Sequence, residues 1–155
     1  MASKTQPNVR QKSSEAFTGH PDLRAGFGTL APATFHPRGT ILFRQGEASR
    51  GVYLLVQGRA NLTLRADSGR GVTFRTVGAG YVLGLPGTIL NRTYIFTAEL
   101  IDDSQVAFIP AADVVEFLRN RGDLCFDVVQ LLGNELMELP KVIHKRVTRT
   151  KRTNT

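Results

Sequence analysis

Cysteine is almost absent from this 155-residue sequence, with Cys125 standing alone. A single thiol excludes a disulfide framework within the chain and a multi-cysteine metal site. Long apolar runs are missing as well; none approaches the ~18–20 residues that a membrane-spanning helix needs. The opening stretch MASKTQPNVRQKSSE has no hydrophobic segment to act as a secretory signal. The sequence therefore reads as cytoplasmic, with no membrane partner. Histidine is scarce, and His20, His36 and His144 have no spaced histidine partner, so no metal site is expected. No phosphate loop and no nucleophile–base–acid arrangement is visible. The chain is accordingly not expected to be an enzyme, to carry catalytic residues or to need a cofactor. What remains, 41% hydrophobic and 21% charged, is the composition of an ordinary globular domain.

Acidic residues are missing from both ends, and this changes what the net charge of +7 means. Residues 1–14 carry three Lys/Arg and no acid, and residues 141–155 carry six and no acid. Between them, eleven Lys/Arg face thirteen Asp/Glu. The excess sits in the tails, which weakens the case for a basic binding face on the domain itself. Residues 1–22, polar and aperiodic with Pro7 and Pro21, read as a flexible arm. Residues 23–139 read as the folded domain, and 140–155 as a basic flexible tail.

Glycines recur from Gly39 to Gly87, separated by short segments rich in β-branched and aromatic residues. That rhythm predicts short strands in a sandwich or roll. In Arg59–Ala66, the residues Ala60, Leu62, Leu64 and Ala66 fall on one face and Arg59, Asn61, Thr63 and Arg65 on the other. Asp67-Ser68-Gly69 supplies a turn, and Val72–Val77 reads as the returning strand. Ile41–Arg44, Val52–Gln57, Tyr94–Ile101 and Gln105–Ile109 complete the set. One polar face implies antiparallel pairing. Arg44, Arg59, Arg65 and Arg75 are expected to point outward, Glu47 to serve a turn, and Asp102-Asp103 to form a loop.

After Pro110 the period changes. Asp113 in a first turn, then Val114, Phe117 and Leu118, predict a helix ending at Gly122. A second helix is predicted from Asp123 to Leu139, stopped by Pro140. Cys125, Val129, Leu132, Leu136 and Leu139 recur at steps of four and three, the seam spacing of helix-on-helix packing, and Leu124, Val128 and Leu131 form a second stripe. One stripe serves the roll and leaves the other for a second surface. Cys125 is expected to be a buried, inert thiol. The fold expected is mainly β: a double-sheet antiparallel β-roll (jelly roll) of about eight strands followed by two C-terminal helices, with short helical turns before Phe35 and near Thr88.

The run Gly39-Thr-Ile-Leu-Phe-Arg-Gln-Gly46-Glu47-Ala-Ser-Arg-Gly51-Val-Tyr53-Leu-Leu-Val-Gln-Gly58 resembles the first half of cyclic-nucleotide-binding domains, above all the sensor domains of catabolite-activator/FNR-type bacterial transcription regulators. Val77-Gly-Ala-Gly80-Tyr-Val-Leu-Gly84 resembles the family's approach to its phosphate-binding cassette, and the resemblance covers residues 33–139. It implies a helical turn whose amides face a cyclic phosphate, a glutamate for the ribose, and an arginine followed by small residues for the phosphate. In Gly84-Leu85-Pro86-Gly87-Thr88-Ile89-Leu90-Asn91-Arg92-Thr93-Tyr94-Ile95, Leu85 stands in the glutamate's place and cannot accept a hydroxyl hydrogen bond. Arg92-Thr93 has the right chemistry but comes early; counting back from Gln105 puts Tyr94-Ile95 at the arginine-serine positions. Only 15 residues follow Pro140, too few for the family's winged helix-turn-helix.

These readings predict a stand-alone regulatory module with a degenerate cassette, acting through protein contacts. Its candidate ligand residues are Gly84, Leu85, Thr88, Arg92, Thr93 and Tyr94. They either take a small anionic effector, cAMP and cGMP being disfavoured, or have lost that ability. A homodimer is expected through Cys125, Val129, Leu132 and Leu136. The alternative is a dimeric nucleic-acid-associated protein that uses Lys145, Arg146, Arg149, Lys151 and Arg152.

Overall fold

The computed structural model describes residues 21–66 and 69–153, from 139 onward by backbone alone. Helix α1 (Pro21–Gly28) buries Leu23 and Phe27 and begins two residues before the domain boundary drawn from the sequence. Eight strands come next: β1 (Ala33–His36), β2 (Ile41–Phe43), β3 (Gly51–Gln57), β4 (Ala60–Arg65), β5 (Gly71–Val77), β6 (Val82–Leu83), β7 (Thr97–Leu100) and β8 (Ser104–Pro110). Helix α2 (Leu85–Ile89) lies between β6 and β7, and α3 (Ala111–Asn120) and α4 (Gly122–Thr153) close the described chain. No described helix is long and apolar enough to cross a membrane.

The strands form two antiparallel four-stranded sheets, in the orders β1-β8-β3-β6 and β2-β7-β4-β5. In the first, Val52 pairs with Ile109 and Leu54 with Ala107; in the second, Ala60 pairs with Val77 and Leu62 with Ala98. The alternation read in β4 holds, with Ala60 and Leu62 buried between half-exposed Asn61 and Thr63. Val114 and Leu118 of α3 are buried as their spacing predicts, and Phe117 packs against Phe27 of α1 at 5.6 Å between ring centres.

Five details differ from the sequence reading. Strand β7 begins at Thr97, because the preceding residues pair elsewhere: Tyr94 N donates to Glu47 O and Gly46 N to Tyr94 O. Arg75 is buried, since it pairs directly with inward-facing Leu62 and opposite residues of an antiparallel pair share a face. Gly122 opens α4 and does not cap α3. Cys125 is exposed, its stripe being the outward one, and Sγ donates to Leu118 O at 3.3 Å. Finally, α4 runs through Pro140 to Thr153. An internal proline removes one amide donor, a cost of about 3 kcal/mol. Lysine and arginine are good helix formers whose charge suits a helix C-terminus, and they recur along α4 from Lys141 to Arg152.

Candidate functional site

The cassette opens at Gly84, whose φ of 86° is left-handed and whose missing Cβ would lie 2.7 Å from Tyr94 Cε1. Only glycine satisfies both conditions. Pro86 sits in the first turn of α2, where an amide is dispensable. Leu85 and Thr88 are buried. The Thr88 hydroxyl lies 2.8 Å from Gly84 O, 3.0 Å from Gly51 O and 2.6 Å from Ser49 Oγ. It is satisfied within the protein.

Arg92 and Thr93 are exposed at the far end of the cassette. Their backbone is stitched to the Gly46–Ser49 turn: Ser49 N donates to Arg92 O at 3.0 Å, and Thr93 bridges Ala48. The structure thus separates the six candidates, Gly84, Leu85, Thr88 and Tyr94 turning inward while Arg92 and Thr93 stay at the surface. Glu47 is exposed and accepts from Arg44 N at 3.4 Å, the turn role expected of it. Asp102 accepts two bonds from Arg59, and Asp103 one from Arg38 N, which makes that pair a loop brace. His36 pairs with Thr34 at 2.9 Å; His20 and the side chain of His144 lie outside the described residues.

Tyr94 fills the interior. Its ring stacks on Phe43 at 4.0 Å, and its hydroxyl donates to Gly51 O at 2.8 Å while accepting from Arg50 N at 3.3 Å. Two cavities border the Phe43–Tyr94 pair: one under the cassette, bounded by Leu62, Gly84, Phe96 and Glu135, measures about 10 Å³, and a more open one, bounded by Leu42, Glu47, Arg50 and Tyr53, about 500 Å³. The first has room for one water molecule at most; the second has the volume of a small-molecule pocket, roughly 300–1,000 Å³, but lies on the outer side of the cassette turn, where Glu47 and Arg50 are exposed. Among the described residues, no buried side-chain nitrogen or oxygen lacks a hydrogen-bond partner. No orphaned polar group among them waits for a ligand.

Beside this filled space lies a polar cluster that the sequence reading missed. Tyr81 donates its hydroxyl proton to Glu135 Oε1, and the Arg75 guanidinium acts on both groups. All three side chains are buried. Burial pushes the Glu135 carboxyl up, opposed by the Tyr81 hydrogen bond and the Arg75 charge. Burial likewise pushes Tyr81 well above the ordinary phenol range. A signal was present: Glu135 stands four residues after Leu131, the next core position of the stripe Leu124, Val128, Leu131.

That stripe packs on the roll, and the predicted dimer seam faces away from it. Val129 and Leu136 are 62% and 65% exposed, and Cys125 is exposed too, but Leu132 is half-buried against the core. Between α2 and α4 an apolar groove of about 270 Å³ joins Ile89, Leu90 and Ile95 to Leu132 and Leu136. The candidates Lys145, Arg146, Arg149, Lys151 and Arg152 lie on the helical backbone of α4; their side chains fall outside the described residues.

Comparison with known proteins places this geometry. The family model for the cyclic nucleotide-binding domain matches residues 34–121. Patatin-like phospholipase domain-containing protein 7 of Mus musculus is 25% identical over 99 residues, 64% of this chain and 7% of that protein. The chain therefore spans only a small part of that relative. The catabolite activator protein of Thermus thermophilus superposes with a TM-score of 0.68 at 16% identity, over 92% of this chain and 62% of that one. The c-di-GMP-responsive global regulator CLP of Xanthomonas campestris gives 0.61 at 17%, over 85% and 63%. A cyclic nucleotide-binding-like protein of Brucella abortus gives 0.53 at 24%, over 69% and 98%. These likenesses show the fold.

Proposed function

The chain belongs to the cyclic nucleotide-binding domain family, and from that premise we propose a regulatory module whose cassette is closed by its own side chains. Its output passes through contacts of α4. The observation that carries this reading is the packing beneath the cassette, where Tyr94 stacks on Phe43 beside buried Leu85 and leaves a cavity of only about 10 Å³. A site built to bind a sugar hydroxyl discriminates by its polar partners, and at that position the chain places a buried leucine. Thermal unfolding in the presence of excess cAMP or cGMP tests the reading. A ligand at a thousandfold excess over its dissociation constant stabilises by about 4 kcal/mol, so a melting temperature that stays unchanged supports closure. A rise of several degrees contradicts it.

The contact surface is the seam on α4. Val129 and Leu136, together with Leu90 and Ile95 across the groove, expose apolar area that a second copy of the chain would cover. Light scattering at tens of micromolar should give a dimer mass for the wild type, and a folded monomer for Val129→Glu with Leu136→Glu. A monomeric wild type removes this part of the proposal.

A further inference from the structure

The stripe of α4 that packs on the roll runs Leu124, Val128, Leu131 and then Glu135, three buried apolar residues followed by a buried carboxylate. Among the side chains of α4 that are described, which end at Glu138, Glu135 is the last buried one, Glu138 being half-buried. Leu136 and Met137, which come after it, are 65% and 72% exposed. At this departure point three polar side chains from three segments meet: Glu135 from α4, Tyr81 from the turn before β6, and Arg75 from β5. Arg75 is itself held in place, its guanidinium lying 5.3 Å over the Phe74 ring. A leucine at position 135 would have completed the apolar stripe and could slide against its neighbours. A carboxylate held by a hydroxyl and faced by a guanidinium cannot, because hydrogen bonds are directional and a buried charge without them is costly.

We propose that Arg75, Tyr81 and Glu135 form a latch that fixes where α4 leaves the roll, and that breaking it releases the helix while the roll stays folded. The latch needs nothing bound in the cassette, so it stands whether or not a nucleotide enters there. Its release would free the buried stripe Leu124, Val128 and Leu131 as a second apolar surface. Hydrogen exchange of backbone amides in the whole chain tests it. In Tyr81→Phe, which leaves the carboxylate buried without its donor, residues 132–138 should exchange at least tenfold faster than in the wild type. Strands β3 and β8 should not change. In Glu135→Gln, which keeps an acceptor for Tyr81, the acceleration should be less than threefold. Unchanged exchange of 132–138 in Tyr81→Phe overturns the latch, and so does an equal acceleration of helix and strands. Should Tyr81→Phe fail to fold, Glu135→Ala gives the same readout: acceleration confined to the helix supports the latch, and acceleration shared with the strands overturns it.

Discussion

The Tyr94 hydroxyl donates to the Gly51 carbonyl at 2.8 Å, and this one bond ties the end of the cassette to the first residue of β3. With the ring stacked on Phe43, it holds the tyrosine across the space beneath the cassette. Gly51 O also lies 3.0 Å from Thr88 Oγ1, so removing the phenol oxygen does not strand the carbonyl. Tyr94→Phe is therefore expected to lower stability by only about 0.5–1.5 kcal/mol. Tyr94→Ala also removes the ring and should cost about 3–5 kcal/mol. Urea denaturation of the two variants checks both values, and a Tyr94→Ala loss no larger than that of Tyr94→Phe would show that the ring does not fill the roll.

Gly84→Ala meets two obstacles at once. A φ of 86° suits glycine, and the new Cβ would stand 2.7 Å from the Tyr94 ring. Left-handed backbone alone costs a non-glycine residue about 1–3 kcal/mol, and Tyr94 is packed too tightly to move aside. Gly133, inside α4 with no close contact for a new Cβ, gives the opposite control: Gly133→Ala should raise stability by about 0.5–1 kcal/mol, and a Gly84→Ala variant no less stable than the wild type contradicts the account. Parallel urea melts of the two variants make the comparison.

How much of this was legible in the sequence depends on which interaction decided each residue. Six of the eight strands followed from alternation and turn residues, while β1 and the two-residue β6 were too short to show it; that Leu85 and Tyr94 depart from a nucleotide cassette follows only from the family resemblance. Arg75 was misread because its face is set by pairing with Leu62 on another strand, which local alternation does not reveal. Glu135 sat in the run of the helical stripe, but a carboxylate at a core position is unexpected until Tyr81 and Arg75 are seen to converge on it. Pro140 carried a correct local preference that the rest of a 32-residue helix overrides.

Stability should depend on pH through Glu135. Burial raises its pKa in the folded state, whereas the unfolded chain restores the ordinary value. A raised carboxyl favours folding below the ordinary glutamate range, about pH 4.3, and that contribution is lost as pH rises through the folded value. The groups facing it are Tyr81 from the turn and Arg75 from β5, while Pro86, Ile95 and Phe96 supply no charge. Glu138 lies one turn on along its own helix. Asp102 and Asp123 act oppositely: Arg59 and Arg121 lower their pKa, so their contribution is lost as pH falls, but both are exposed and screened by salt. Denaturation of wild type and Glu135→Gln from about pH 4 to pH 7 isolates the glutamate. The wild type should lose stability relative to the variant as pH rises, and a constant difference contradicts the assignment.

Cys125 offers a direct probe of the helix seam. Its thiol is exposed and lies on the same stripe as Val129 and Leu136. In a parallel dimer through α4 the two thiols approach each other, so mild oxidation should yield a covalent dimer on a non-reducing gel. Val129→Glu with Leu136→Glu should abolish it. Cross-linking that persists unchanged in that variant would assign the contact to another face.

The proposed closure of the cassette rests on the Phe43–Tyr94 stack and the small cavity beside it. Isothermal titration calorimetry of the wild-type chain with cAMP and with cGMP tests this most directly. With the cassette closed as proposed, no saturable heat is expected at millimolar ligand. A one-to-one isotherm with a micromolar or tighter dissociation constant, lost on substitution of Arg92 by alanine, would contradict it.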